Sequence, residues 1–125
     1  IDALGLADIR AIHGRAEEMA RQRAYREQYD LVIARAVAPL PTLVEYMLPF
    51  ARVSGWCIAM KGAEAQAETE QAHRAIATLG GGATTVEHVA LPSAPDRRAL
   101  VIIRKARPTP DRFPRASGAP RASPL

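Results

Sequence analysis

The chain has 125 residues, 48% hydrophobic but only 5% aromatic, and a formal net charge of +4. That length suits one domain with an aliphatic, Ala-rich core, and no stretch approaches the ~18 consecutive apolar residues of a membrane helix. Nothing reads as a basic segment followed by an apolar leader. The lone Cys57 cannot form an internal disulfide, which points to a reduced, cytoplasmic setting.

The opening "IDALGL" reads as the last turn of a helix closed by Gly5, so the amino-terminal part of a longer protein is expected upstream. Ile9–His13 reads as a strand and the Ala-, Glu- and Arg-rich Ala16–Arg26 as a helix. Leu31, Val32 and Ile33 form a short apolar run, the pattern of a strand buried on both faces, and this strand ends on Arg35. "TLVEYMLPFA" follows Pro41, which suits a first helical turn. Trp56–Lys61 is a third strand. "AEAQAETEQAHRAIATLG" is the strongest helical stretch, stopped by Gly80–Gly82. Val86–Leu91 and Leu100–Lys105, separated by the turn-forming "PSAPD", are expected to pair as an antiparallel hairpin at the edge of the sheet. From Pro108 onward, five prolines in 18 residues argue against regular structure. Alternating strands and helices imply an α/β fold with a mainly parallel sheet over residues 1–107, followed by a Pro-rich basic tail at 108–125.

The charge is unevenly placed. Residues 97–125 carry eight basic side chains against Asp111 alone, while the rest of the chain is net acidic. A basic carboxyl end is a common footprint of nucleic-acid contact, although a solvated tail without a partner has the same composition. In an open parallel sheet, ligands bind beyond the carboxyl ends of the strands. Three such ends carry charges that packing does not request: "GRAEE" with Arg15 and Glu17, Arg35, and Lys61 in "KG". Converging cations suit a phosphate- or carboxylate-bearing ligand. Glu17 is a first-turn acid, and Lys61 reads equally as a solvated strand-end lysine. A charge placed directly after a buried strand needs a partner, so Arg35 stands out. No Ser-His-Asp set, Cys-His pair or metal-ligand spacing is present. His13, His73 and His88 are scattered, and the glycines of "TLGGGATT" follow a helix and precede a strand, the reverse of a phosphate loop. These signals alone support a nucleotide- or cofactor-binding α/β domain.

With "GRAEE", "YDLVIARAVAPLPTL", "AMKG" and "TPDRFPRASGAPRASPL" in view, the whole chain resembles the carboxyl-terminal part of the small-subunit ribosomal RNA methyltransferase G family. The resemblance implies a Rossmann-like fold that is truncated at its amino end, S-adenosyl-L-methionine as cofactor, and methylation of N7 of a guanine in the 530 loop of 16S ribosomal RNA. By motif, Ala16, Glu17 and Arg35 resemble cofactor contacts. Arg15 and Lys61 resemble basic residues of the active-site face, and Arg112, Arg115 and Arg121 of the tail are candidates for contact with the RNA or the small ribosomal subunit. The family's Gly-rich cofactor loop and the acidic end of its second strand are absent here. The resemblance places those missing strands between Ile9–His13 and Leu31–Arg35. No metal is implied. Guanine N7 has an in-plane lone pair and no proton, so transfer depends mainly on placement and needs no general base. The competing reading is a non-catalytic basic α/β module that binds ribosomal RNA or a nucleotide. An NAD-dependent dehydrogenase ranks third, because no well-placed His or Tyr offers a partner for hydride transfer.

Overall fold

A computed structural model describes residues 7–35, 38–91 and 94–125. Its centre is a four-stranded sheet of β1 (Tyr29–Arg35), β2 (Ala51–Lys61), β3 (Gly81–Leu91) and β4 (Ala94–Lys105), in the order β1-β2-β4-β3. β1 and β2 run parallel, with Ile33 beside Ile58. Their crossover contains α2 (Leu40–Met47) and a 3-10 turn at Leu48–Phe50. β4 pairs antiparallel with both β2 and β3. The α/β class and the edge hairpin are as expected, but the sheet is not mainly parallel. A parallel pair needs a crossover of about a dozen residues or more. β1 and β2 have one, whereas β3 and β4 pair antiparallel, and β4 lies between β2 and β3.

α2 starts with Pro39 as its cap and Pro41 in its first turn, where a missing N–H is no loss. It is buried nearly all round: Leu40, Thr42, Leu43, Val44, Glu45 and Met47 are all inside. The strongest helical stretch divides into α3 (Ala65–Gln71) and α4 (His73–Thr78), which meet at Ala72. Gly80 ends it at φ +94°, where a Cβ would sit 2.3 Å from the Arg107 carbonyl oxygen. From these helices Leu43, Val44, Ile76 and Leu79 join Cys57, Ala59, Val101 and Ile103 in one core. That core occupies one face of the sheet.

The other face stays open. The register aligns Leu31 with Trp56 and Arg104, and Ile33 with Ile58 and Ile102. Leu31 and Ile33, expected to be buried on both sides, are 48% and 55% exposed. Residues 9–13 form no strand, and Ile9 and Ile12 are also about half exposed. A strand needs a paired neighbour to satisfy its backbone groups, and among the described residues β1 is the sheet's edge. The helix expected over Ala16–Arg26 is only the single turn α1 (Ala16–Met19), followed by turns. Good helix formers do not sustain so short a helix without a packed face. The helix end expected at Gly5 lies outside the described residues.

Residues 108–125 hold one helical turn, α5 (Ala119–Ala122), where no regular structure was expected. They are also packed: Thr109, Phe113, Pro114 and Pro120 are buried. Just ahead of them Lys105 is fully buried. Its Nζ donates to the carbonyls of Leu48 (2.5 Å) and Ala51 (2.9 Å) and pairs with Glu27 at 3.1 Å. Among the described residues no helix is long and apolar enough to cross a membrane.

Candidate cofactor site

The segment from Arg15 to Glu27 contains little regular structure, so side chains fix its shape. Glu17 is 4% exposed, and its Oε2 accepts from Arg15 Nη2 at 3.0 Å and from the Gly118 backbone N–H at 2.9 Å. Burial opposes ionisation of this carboxyl, but the hydrogen bonds from Gly118, from its own backbone N–H and from Arg15 outweigh it. The carboxyl is held below its ordinary pKa of 4.5. The same contact makes Arg15 hold its proton more tightly than usual. Ala16 lies between the two at the start of α1. The carboxylate is thus fixed and ionised beneath the surface, with its Oε2 shared between Arg15 and Gly118.

Arg35 closes β1, exposed and opposite Met60 of β2. Lys61 is the next residue of β2, so the two cations share an end of the sheet. They do not share a face: Arg35 lies on the open side with Leu31 and Ile33, whereas Lys61 alternates with Cys57 and Ala59 on the core side. Lys61 is also spent internally. Its Nζ donates to the Ala38 carbonyl at 2.5 Å and pairs with Glu68 at 3.1 Å, and Glu68 in turn accepts the Leu40 N–H at 3.0 Å. That lysine ties the start of α2 to α3 instead of facing a ligand. The expected convergence of Arg15, Arg35 and Lys61 on one crevice is thus not what the fold makes.

The tail arginines also differ from one another. Arg115 grips the fully buried Glu45 of α2 through its backbone N–H (2.8 Å) and its guanidinium (2.9 Å to Oε1), so it is a structural cation. Arg112 is exposed and stacks on the Phe113 ring, 4.9 Å from its centroid. Arg121 is exposed on α5. Sequence reasoning missed Gly118 and Arg26 as parts of the site's frame, and it missed the Glu45–Arg115 pair. The last had a readable signal, a single carboxylate inside the apolar run "TLVEYML". Cys57 is buried beneath the sheet, which pushes its thiol up to about 12, so it is no nucleophile. Among the described residues no three His, Cys, Asp or Glu side chains gather as metal ligands would.

Residues 1–100 match the family described as rRNA small subunit methyltransferase G. The chain belongs to that family. The ribosomal RNA small subunit methyltransferase G of Lactobacillus acidophilus is 41% identical over 125 residues, all of this chain and 52% of that protein. The protein of the same name from Deinococcus deserti is 47% identical over 124 residues, and the one from Symbiobacterium thermophilum is 51% identical over 114. These cover 99% and 91% of this chain, but only 51% and 46% of the relatives. The chain thus spans about half the length of the curated methyltransferase G relatives it matches.

Proposed function

We propose that a methyltransferase G protein carrying this chain methylates N7 of a guanine in the 530 loop of 16S ribosomal RNA, with S-adenosyl-L-methionine as the donor. It would do so in the cytoplasm, on the RNA or the small ribosomal subunit. The observation that carries this reading is the match to the family over residues 1–100. Glu17, a nearly buried carboxylate fixed by two hydrogen bonds, resembles the family residue that lines the adenosine portion of the cofactor. An ionised, fixed acceptor suits hydroxyl and amino donors such as those of a nucleoside, so the residues present fit the group. Ala16 resembles a lining residue of the same position, and Arg35 at the end of β1 adds a further cofactor contact.

When bound, the cofactor supplies an electrophilic methyl group on a sulfonium. The chain's own residues then orient and do not take protons, which agrees with a site holding one pinned carboxylate and arginines. Guanine N7 already carries its lone pair, so the protein's contribution is in-line placement. Exposed Arg112 and Arg121, with Arg15, supply phosphate contacts that hold the RNA in register. Lys61 and Arg115 are committed inside the fold and are left out of that set.

The test is to incubate a protein of the family's full length that contains this chain with small ribosomal subunits and methyl-labelled cofactor. The modified base is then mapped by cleavage specific to N7-methylguanine. Label at one guanine of the 530 loop is expected; label elsewhere, or none, rejects the proposal. In the same protein Arg35→Ala should weaken cofactor binding by roughly 1–3 kcal/mol, the range for one charged hydrogen bond. An unchanged dissociation constant in calorimetry removes Arg35 from the site.

A further inference from the structure

The tail's proline content carries a second meaning. A Pro-rich segment lacks many N–H donors but keeps every carbonyl, so it cannot join a sheet and can still be held by arginines. That is what happens here. Arg26 donates to the carbonyls of Phe113 (2.7 Å), Thr109 (3.0 Å) and Pro110 (3.0 Å), and Arg21 donates to that of Pro114 (2.8 Å). From the tail's side, the Thr109 N–H reaches Glu27 at 2.9 Å and the Gly118 N–H reaches Glu17 at 2.9 Å. The tail is anchored independently on α2, through Arg115 on Glu45 and through Pro120, whose carbonyl accepts from Thr42 Oγ1 at 2.9 Å. The Arg15–Glu27 segment, which has only one helical turn of its own, is therefore laid against a strap fixed to the core.

We propose that Thr109–Gly118 is a positioning strap for the cofactor-contacting residues Ala16 and Glu17, with Arg26 and Arg21 as its positioning residues. The strap's contacts with Arg21 and Arg26 set cofactor affinity and not RNA affinity, which is left to the exposed Arg112. The inference rests on the reading of Glu17 as a cofactor contact. Its logic is geometric: Gly118 N–H aims Glu17, while Arg26 and Arg21 fix the distance between the two chain segments on either side of that contact. None of the four tail carbonyls or the two arginines needs to touch a ligand to do this.

The experiment uses the full-length protein and measures the KM for S-adenosylmethionine, the KM for RNA, kcat at saturating cofactor, and the melting temperature. Arg26→Ala should raise the cofactor KM about tenfold, in line with losing charged hydrogen bonds, and Arg21→Ala should raise it less. The kcat at saturation and the RNA KM should stay within about twofold, the pattern of lost ground-state binding. Arg26→Lys should restore part of the affinity. Arg21→Ala, at an exposed side chain with one strap contact, keeps the test decisive if Arg26→Ala does not fold. A raised RNA KM with an unchanged cofactor KM would overturn the proposal and assign Arg21 and Arg26 to RNA binding. A lower melting temperature with every KM unchanged would also overturn it, leaving a purely structural tail. Glu17→Ala separates the two layers. An unchanged cofactor KM in that variant rejects Glu17 as a contact. A raised one beside normal Arg21 and Arg26 variants rejects the strap alone.

Discussion

The two faces of the sheet come from the same strands and carry similar apolar side chains, yet they meet opposite surroundings. On one face Cys57, Ala59, Val101 and Ile103 lie beneath α2, α3 and α4 and are at most 1% exposed. On the other, Leu31, Ile33, Trp56 and Met60 are each 43–55% exposed, and Arg104 stacks on Trp56 at 6.0 Å. The covered face is locked by charges that are fully paired: Lys105 with Glu27 and two carbonyls, and Glu45 with Arg115. The open face holds no such clamp among the described residues. What differs between them is the second layer: a strand's apolar pattern states what must be covered, and the covering must come from somewhere else in the chain.

Substitutions on each face test that contrast. The largest expected effect is Lys105→Ala, which strands two buried carbonyls and the Glu27 carboxylate and should destabilise the fold by about 3–5 kcal/mol. Urea unfolding measures it, and a loss below 1 kcal/mol would show the clamp to be incidental. Next is Gly80→Ala, where a positive φ and the nearby Arg107 carbonyl should together remove about 1–3 kcal/mol in the same assay. Smaller still is the acid response of Glu17. Its folded pKa is depressed, so its stabilisation is complete above the ordinary value of 4.5 and is lost as pH falls through the folded pKa. Glu17→Gln should therefore lower stability at pH 7, where that contribution is present in full, and flatten the acid limb below about pH 4.5, where the two proteins converge; an identical acid limb would contradict the hydrogen-bonded carboxylate. The smallest effect is expected on the open face. Ile33→Thr should change the stability of this chain by less than about 0.5 kcal/mol. In a full-length protein of the family it should remove about 1–3 kcal/mol if the added residues cover that face. Equal losses in both would mean the face is not awaiting a cover.

How much of this was legible depends on whether the signal was local. Gly80 after a long run of helix formers, the prolines opening α2 and the alternation of Val86–Leu91 are local, and each marks its element within a residue or a few. Ile9–His13 has strand composition, but a strand is a pairing and its partner lies outside its own sequence. Leu31–Ile33 has the pattern of a doubly buried strand and shows one open side for the same reason. At the site, the charged residues of "GRAEE" stood out by type, while the partner of Glu17 is a glycine 101 positions away, which no spacing rule reveals. The surplus of basic residues at the carboxyl end reads as a footprint of nucleic-acid contact, with a solvated tail as the alternative. Lys105 and Arg115 are instead buried or half-buried and paired, because a net charge counts cations without saying which of them carbonyls and carboxylates have already taken.

The most direct measurement is a calorimetric titration of S-adenosylmethionine into residues 1–125 alone, beside the full-length protein that contains them. Glu17, Ala16 and Arg35 supply contacts on one part of the cofactor only, and they sit beside an open sheet face. The full-length protein should bind at about micromolar strength, near −8 kcal/mol, and the chain alone should give no binding heat. A folded monomer of residues 1–125 that binds the cofactor as tightly as the full-length protein would contradict the half-site.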